Sequence, residues 1–157
     1  LIRTLALIPE SERIPLVVVG KATSYFDLVS QEVRKLRLEN WTKFIHDIPF
    51  HDLPIIYRGA SVFVYPSHFE GFGIPIVEAI ESDVPVITST GSCFKEAGGP
   101  DTVYVDSNSP EDLAAQLRKL LSDEGLRASM ISKSKIFTEK FMPESIAHDV
   151  INCYRSI

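Results

Sequence analysis

The chain has 157 residues, the size of one domain, and 45% hydrophobic side chains, enough for a core and too many for a disordered composition. A formal net charge of -5 with no basic cluster argues against a nucleic-acid partner, though not against phosphate held locally at a helix N-terminus. No apolar run approaches the roughly 18 to 20 residues of a membrane span, and the distant Cys93 and Cys153 form neither a CxxC metal motif nor a disulfide framework.

Leu1 to Leu7 reads as the inside of a helix already under way, which predicts a fragment of something longer. Leu16-Val17-Val18-Val19-Gly20 is an apolar, β-branched run, read as a strand with both faces buried. Phe26, Val29, Val33 and Leu36 follow at helical spacing. A second strand is predicted over Thr42 to Ile45, then a short helix marked by Leu53, Ile56, Tyr57 and Ala60. Val62 to Tyr65 is the third strand, stopped by Pro66-Ser67, and Ile76, Val77, Ala79 and Ile80 lie on the next helix. Val84 to Thr88 and Thr102 to Val105 complete the strands. Ser109-Pro110-Glu111-Asp112 is a helix start, with a capping Ser, Pro at the first helical position and an acid at the third. Leu113, Leu117, Leu120 and Leu121 form the buried stripe behind it. Leu126, Met130, Ser134 and Phe137 mark another helix, and Pro143 opens the last, with Ile146, Val150, Cys153 and Ile157 on one face. Strands alternating with helices through short connections give an open parallel α/β sheet. Such sheets bind ligands beyond the C-terminal strand ends.

The segment after the third strand carries the chemistry. It runs Pro66-Ser67-His68-Phe69-Glu70-Gly71-Phe72-Gly73-Ile74-Pro75-Ile76-Val77-Glu78-Ala79. Gly71 and Gly73 allow a ligand to approach the main chain closely. A helix starting near Ile74 presents unpaired N–H groups and roughly half a positive charge, a phosphate cradle that needs no Walker lysine. Glu70 and Glu78 suit another task, because a carboxylate accepts hydrogen bonds and pairs naturally with sugar or ribose hydroxyls. Loop and helix by themselves fit a structural role equally well, since acids in a first helical turn are ordinary dipole partners.

The complete string is more specific. Val64-Tyr65-Pro66-Ser67, then Glu70-Gly71-Phe72-Gly73-Ile74-Pro75, then Glu78-Ala79, resembles the signature of glycosyltransferase family 4, the group 1 glycosyl transferases, whose two glutamates are separated by seven residues as Glu70 and Glu78 are. Val84 to Thr88, Glu96-Ala97-Gly98, and Val105-Asp106 followed by Ser109 to Leu113 fall in the family's order. The resemblance implies a Rossmann-like open parallel sheet flanked by helices, the C-terminal half of a GT-B fold. On that expectation residues 1–157 are a single donor-nucleotide-binding domain, lacking the N-terminal acceptor domain and this domain's own first strand, and inactive in isolation. The implied activity is retaining transfer of a sugar from a nucleoside diphosphate sugar, a UDP-sugar or GDP-sugar, to a saccharide or lipid-linked acceptor in polysaccharide or glycolipid synthesis. Glu70 would carry the catalytic contact near the reacting sugar, and Glu78 the ribose contact. Gly71, Phe72, Gly73 and Ile74 would face sugar and diphosphate, Thr90 and Gly91 the pyrophosphate, and Ile48 the base. No metal and no cofactor beyond the donor are implied, and the setting is cytoplasmic, peripheral at the inner membrane face where the acceptor is lipid-linked.

Three features depart from the family. Its early Arg and Lys, which neutralise the diphosphate, have no counterpart here; Lys21 reads as a solvated loop lysine. Ser82-Asp83 replaces Cys-Gly after the motif helix, and Asp tolerates the left-handed cap that Gly supplies. Lys95 precedes Glu96 where an apolar residue or Pro is usual. His46, His51, His68 and His148 cluster with no other ligand type, and Cys93 reads as a small packed residue. Two rival functions remain at this stage: a nucleotide-sugar epimerase on the GT-B fold, which needs no separate acceptor, and a nucleotide-binding module without activity of its own. A dinucleotide oxidoreductase is disfavoured because Gly20-Lys21-Ala22-Thr23 lacks the Gly-x-Gly-x-x-Gly fingerprint.

Overall fold

The computed structural model describes residues 1–91 and 93–156. Among the described residues the α-helices and strands follow in the order α1 Ile2–Leu7, β1 Leu16–Val19, α2 Phe26–Lys35, β2 Thr42–Ile45, α3 Leu53–Arg58, β3 Phe63–Tyr65, α4 Ile74–Glu81, β4 Val86–Ser89, α5 Phe94–Gly98, β5 Val103–Val105, α6 Pro110–Ser122, α7 Glu124–Thr138 and α8 Pro143–Arg155. All pairing is parallel, in two pieces: a two-stranded sheet β1-β2 and a three-stranded sheet β3-β4-β5. One edge of β1 and one edge of β3 are therefore unpaired among the described residues.

The three-stranded sheet has a core on each face. Because alternate residues point to opposite sides, Val64, Ile87, Val103 and Val105 pack with Leu5 and Ile8 from the α1 end and with Leu113, Leu117 and Leu120 of α6. Phe63, Tyr65, Val86 and Tyr104 face the other way, onto Ile76, Ala79 and Ile80 of α4 and Phe94 and Ala97 of α5. Ile76 and Ile80 are essentially inaccessible, and each such burial is worth roughly 1.5–3 kcal/mol. This packing fixes α4 against the sheet, and α7 fixes it from outside. Lys135 of α7 pairs with Asp83 at 2.5 Å, and Thr138 donates to Glu81 Oε1 at 2.5 Å.

Helix ends follow their chemistry. Ser109 Oγ accepts from Asp112 N at 3.1 Å and Asp123 Oδ1 from Leu126 N at 2.8 Å, so α6 and α7 each start on a side-chain cap. Arg127 donates to the Leu120 and Leu121 carbonyls at the end of α6, where Leu120 O also accepts from Asp123 N.

Several boundaries differ from the sequence expectations. The fourth strand begins at Val86, not Val84. Asp83 takes the left-handed cap conformation at φ 63°, and Val84 N folds back onto Ala79 O, so the chain straightens only after Pro85. The first strand is not buried on both faces, as Val17 and Val19 are exposed. Leu16 and Phe44 on the opposite face pack into the first core, whereas the face that carries Val17 and Val19 does not. The face of α8 that carries Ile146 and Val150 is half exposed rather than packed, and Ile157 lies outside the described residues.

Candidate functional site

The parallel register brings the C-terminal ends of β3, β4 and β5 to one edge, and side chains tie the loops there together. Thr88 Oγ1 donates to Tyr65 O at 2.8 Å, and Thr90 N to Val105 O at 2.8 Å. His68 Nδ1 and Ser107 Oγ are 2.9 Å apart, linking the loop after β3 to the loop after β5. Cys93 Sγ donates to Glu70 O at 3.2 Å, linking the β4–α5 connection to the same loop.

Within the loop, Ser67 Oγ holds Phe69 O at 3.2 Å, and Phe69 itself projects into solvent. The chain enters α4 through Gly73, whose φ of 98° and ψ of 43° are left-handed. A Cβ there would stand 3.1 Å from Ile76 Cδ1. Gly73 is therefore required by backbone and space together. Gly71 is not, because its φ is not positive and nothing lies within 4 Å of a Cβ placed on it. Pro75 occupies the first turn of α4, where a missing N–H costs nothing. Phe72 turns its ring edge-on to Phe141 at 5.2 Å, so its side chain anchors the loop, and Ile74 is exposed at the helix start.

The two motif glutamates are half-buried and each is held by a tyrosine. Tyr65 Oη donates to Glu70 Oε1 at 2.7 Å, and Tyr57 Oη to Glu78 Oε2 at 3.0 Å. Burial first, then the hydrogen bond to Glu70, pushes the Tyr65 phenol up to about 12. Burial and then the Glu78 hydrogen bond push the Tyr57 phenol well above its ordinary range. Both hydroxyls are consequently firm donors at neutral pH, and each uses one acceptor position of its carboxylate.

Glu78 also lines a cleft of about 310 Å³ between α3 and α4, with Phe50, Leu53, Tyr57, Arg58 and Glu81 around it. A larger and more open depression of about 640 Å³ lies between α7 and α8, and no residue of the motif lines it. Thr90 and Gly91 follow β4 at the motif edge; Gly91 has φ 91° and open space around it. Ile48 follows β2, in the other sheet, and does not line the α3–α4 cleft. Of the histidines, His46 is held by Gly20 O at 2.9 Å and by the Phe26 and Phe44 rings, so it braces the β1–β2 ends. Trp41 packs on the first core under the Arg13 guanidinium. Sequence reasoning missed Tyr57 and Tyr65 as carboxylate partners and the Cys93 link. The Tyr65 signal lay in the signature itself, whereas Tyr57 and Cys93 are joined to the motif only by folding.

Parallel sheets flanked by helices, with a glycine-led helix following β3, give a Rossmann-like α/β architecture. The chain belongs to the family of glycosyl transferases group 1, whose profile it matches over residues 1–137. It is 31% identical to O-antigen chain mannosyltransferase B of Escherichia coli over 99% of its own length, and 30% identical to D-inositol 3-phosphate glycosyltransferase of Corynebacterium aurimucosum over 98%. It spans 41% and 38% of the lengths of those two proteins. Its fold is that of Anabaena HepE crystallised with UDP, with a TM-score of 0.89 at 23% identity over 100% of this chain and 44% of that one. The C-terminal domain of the group 1 protein LpcC from Francisella tularensis is also similar, with a TM-score of 0.74 at 29% identity, covering 88% of this chain and 73% of that one.

Proposed function

We propose that this chain is the donor-binding domain of a retaining glycosyltransferase that moves a sugar from a UDP-sugar or GDP-sugar to an acceptor hydroxyl. The observation that carries the proposal is the paired presentation of Glu70 and Glu78 on either side of the left-handed Gly73 that opens α4. Glu78 accepts the ribose hydroxyls, Glu70 orients the donor sugar, and the α4 N-terminus receives the diphosphate. Thr90 and Gly91, which follow β4, are assigned to the pyrophosphate, and Ile48 to the base. Catalysis comes from positioning and from stabilising the charge that develops on the leaving phosphate while the sugar becomes oxocarbenium-like. No metal is part of the proposed mechanism.

HepE has been crystallised with UDP-glucose as well as UDP, which favours a uridine nucleotide. A relative that acts on an O-antigen chain favours a saccharide acceptor in polysaccharide synthesis. The acceptor site belongs, on this reading, to an N-terminal domain. On this reading the open edges of β1 and β3 would receive one more parallel strand preceding α1. A cytoplasmic setting, peripheral at the membrane where the acceptor is lipid-linked, belongs to the same proposal. Calorimetric titration of the full-length protein with UDP, GDP and ADP tests it. One nucleotide should bind, and Glu78→Ala should weaken it about tenfold or more, as expected when a charged hydrogen-bond acceptor is lost. Binding of none, or binding untouched by Glu78→Ala, overturns the assignment.

A further inference from the structure

The two carboxylates are not positioned by the loop alone. Tyr57 stands on α3, and Phe63 and Tyr65 stand two residues apart on β3, hence on one face of the sheet. The Tyr57 and Phe63 rings meet edge to face at 5.1 Å and 74°, and the Phe63 and Tyr65 rings stack at 6.0 Å and 17°. Their hydroxyl ends reach the two motif glutamates at 3.0 Å and 2.7 Å. Glu78, Tyr57, Phe63, Tyr65 and Glu70 thus form one continuous chain of contacts, seated on the buried Ile76, Ala79 and Ile80. The third half-buried tyrosine on this face, Tyr104, satisfies its hydroxyl on the main-chain carbonyl of Gly99 at 2.6 Å. A buried phenol here can therefore find a backbone acceptor, yet Tyr57 and Tyr65 are both spent on the motif carboxylates.

We propose that Tyr57 and Tyr65 are positioning residues, joined through Phe63 into an aromatic ladder that sets the place and spacing of Glu78 and Glu70. The inference rests on the donor-site reading of those glutamates. Each hydroxyl takes one acceptor position of its carboxylate and restricts the carboxylate rotamer. The ladder is built on a strand and a helix, and through Tyr65 it ties Glu70, in the loop between β3 and α4, to the sheet. The two tyrosines divide the labour as their glutamates do: Tyr57 serves nucleotide affinity, and Tyr65 serves turnover.

The test uses the full-length protein with Tyr57→Phe, Tyr65→Phe and Tyr104→Phe. Each change keeps the ring and removes one hydroxyl. UDP, GDP and ADP affinities are measured by calorimetry, and turnover by nucleotide release from UDP-glucose and GDP-mannose. Tyr57→Phe should raise the nucleotide Kd about tenfold, the loss of one well-placed charged hydrogen bond. Tyr65→Phe should lower kcat between about tenfold and a hundredfold, as misplacement near the reacting centre does, with Kd changed less than about twofold. Tyr104→Phe should lower thermal stability and leave both constants unchanged. If Tyr57→Phe and Tyr65→Phe behave like Tyr104→Phe while the wild type binds nucleotide and turns over, the ladder is merely structural and the donor site stands. If the wild type binds none of the three nucleotides and releases none from either donor, the donor site and the ladder's role fall together.

Discussion

Replacing Gly73 by Ala probes the left-handed turn that opens α4. The residue is buried with φ 98°, where an L side chain costs roughly 1–2 kcal/mol. The new methyl would lie 3.1 Å from Ile76 Cδ1 and 3.6 Å from Ala97 Cβ, so Ile76, itself inaccessible, must shift by a few tenths of an ångström. Such overpacking adds about 1 kcal/mol, the low end of its range, because only one methyl is inserted against a side-chain end. The stiffer unfolded chain returns about 0.5 kcal/mol. The net expectation is a destabilisation of about 2 kcal/mol, or about 4–8 °C in Tm for a domain of this size. Gly71→Ala supplies the internal comparison: with no positive φ and no atom within 4 Å, it should stay within about 0.5 kcal/mol of wild type. Thermal and denaturant unfolding followed by circular dichroism measure both. Equal effects of the two substitutions, or a neutral Gly73→Ala, would refute the assigned backbone.

Gly99→Ala should be worse than Gly73→Ala, by more than about 3 kcal/mol, because its Cβ would fall 2.5 Å from Phe137 Cγ at φ 70°. Adding Phe137→Leu should restore part of the lost Tm. Ser109→Ala removes the α6 cap and should cost about 1 kcal/mol in denaturant unfolding. The Tyr65 phenol is raised from 10.0 to about 12 in the folded state, so its contribution is complete below pH 10 and drains away as pH climbs toward about 12. Tyr65→Phe cannot ionise and should flatten that part of the alkaline stability curve; an unchanged curve would place the phenol in an unperturbed setting.

Most of the fold was legible because the strands are short β-branched runs and the helices carry period and caps. Ser109-Pro110 marked α6 to the residue, and Ile74-Pro75 marked α4. The errors have local causes. Val84 and Pro85 are apolar enough for a strand, but the left-handed Asp83 and the missing Pro85 N–H delay pairing until Val86. The apolar run at Val17 to Val19 suggested two covered faces, and composition cannot report which neighbour covers a face. The candidate site is a string in the sequence, since Glu70, Gly73 and Glu78 lie close together along the chain. Its support is not, because Tyr57, Cys93 and Ser107 reach the motif from three other segments. A pattern also cannot separate the two motif glycines: only the backbone shows that Gly73 uses its freedom and Gly71 does not.

The crystal structure of the full-length protein soaked with UDP tests the central claim most directly. The ribose hydroxyls should lie within hydrogen-bond distance of Glu78, with the diphosphate against the main chain at the start of α4 and Tyr57 still bonded to Glu78. A nucleotide bound in the α7–α8 depression, or anywhere that leaves Glu78 and the Gly73–Ile74 turn without contact, would contradict it.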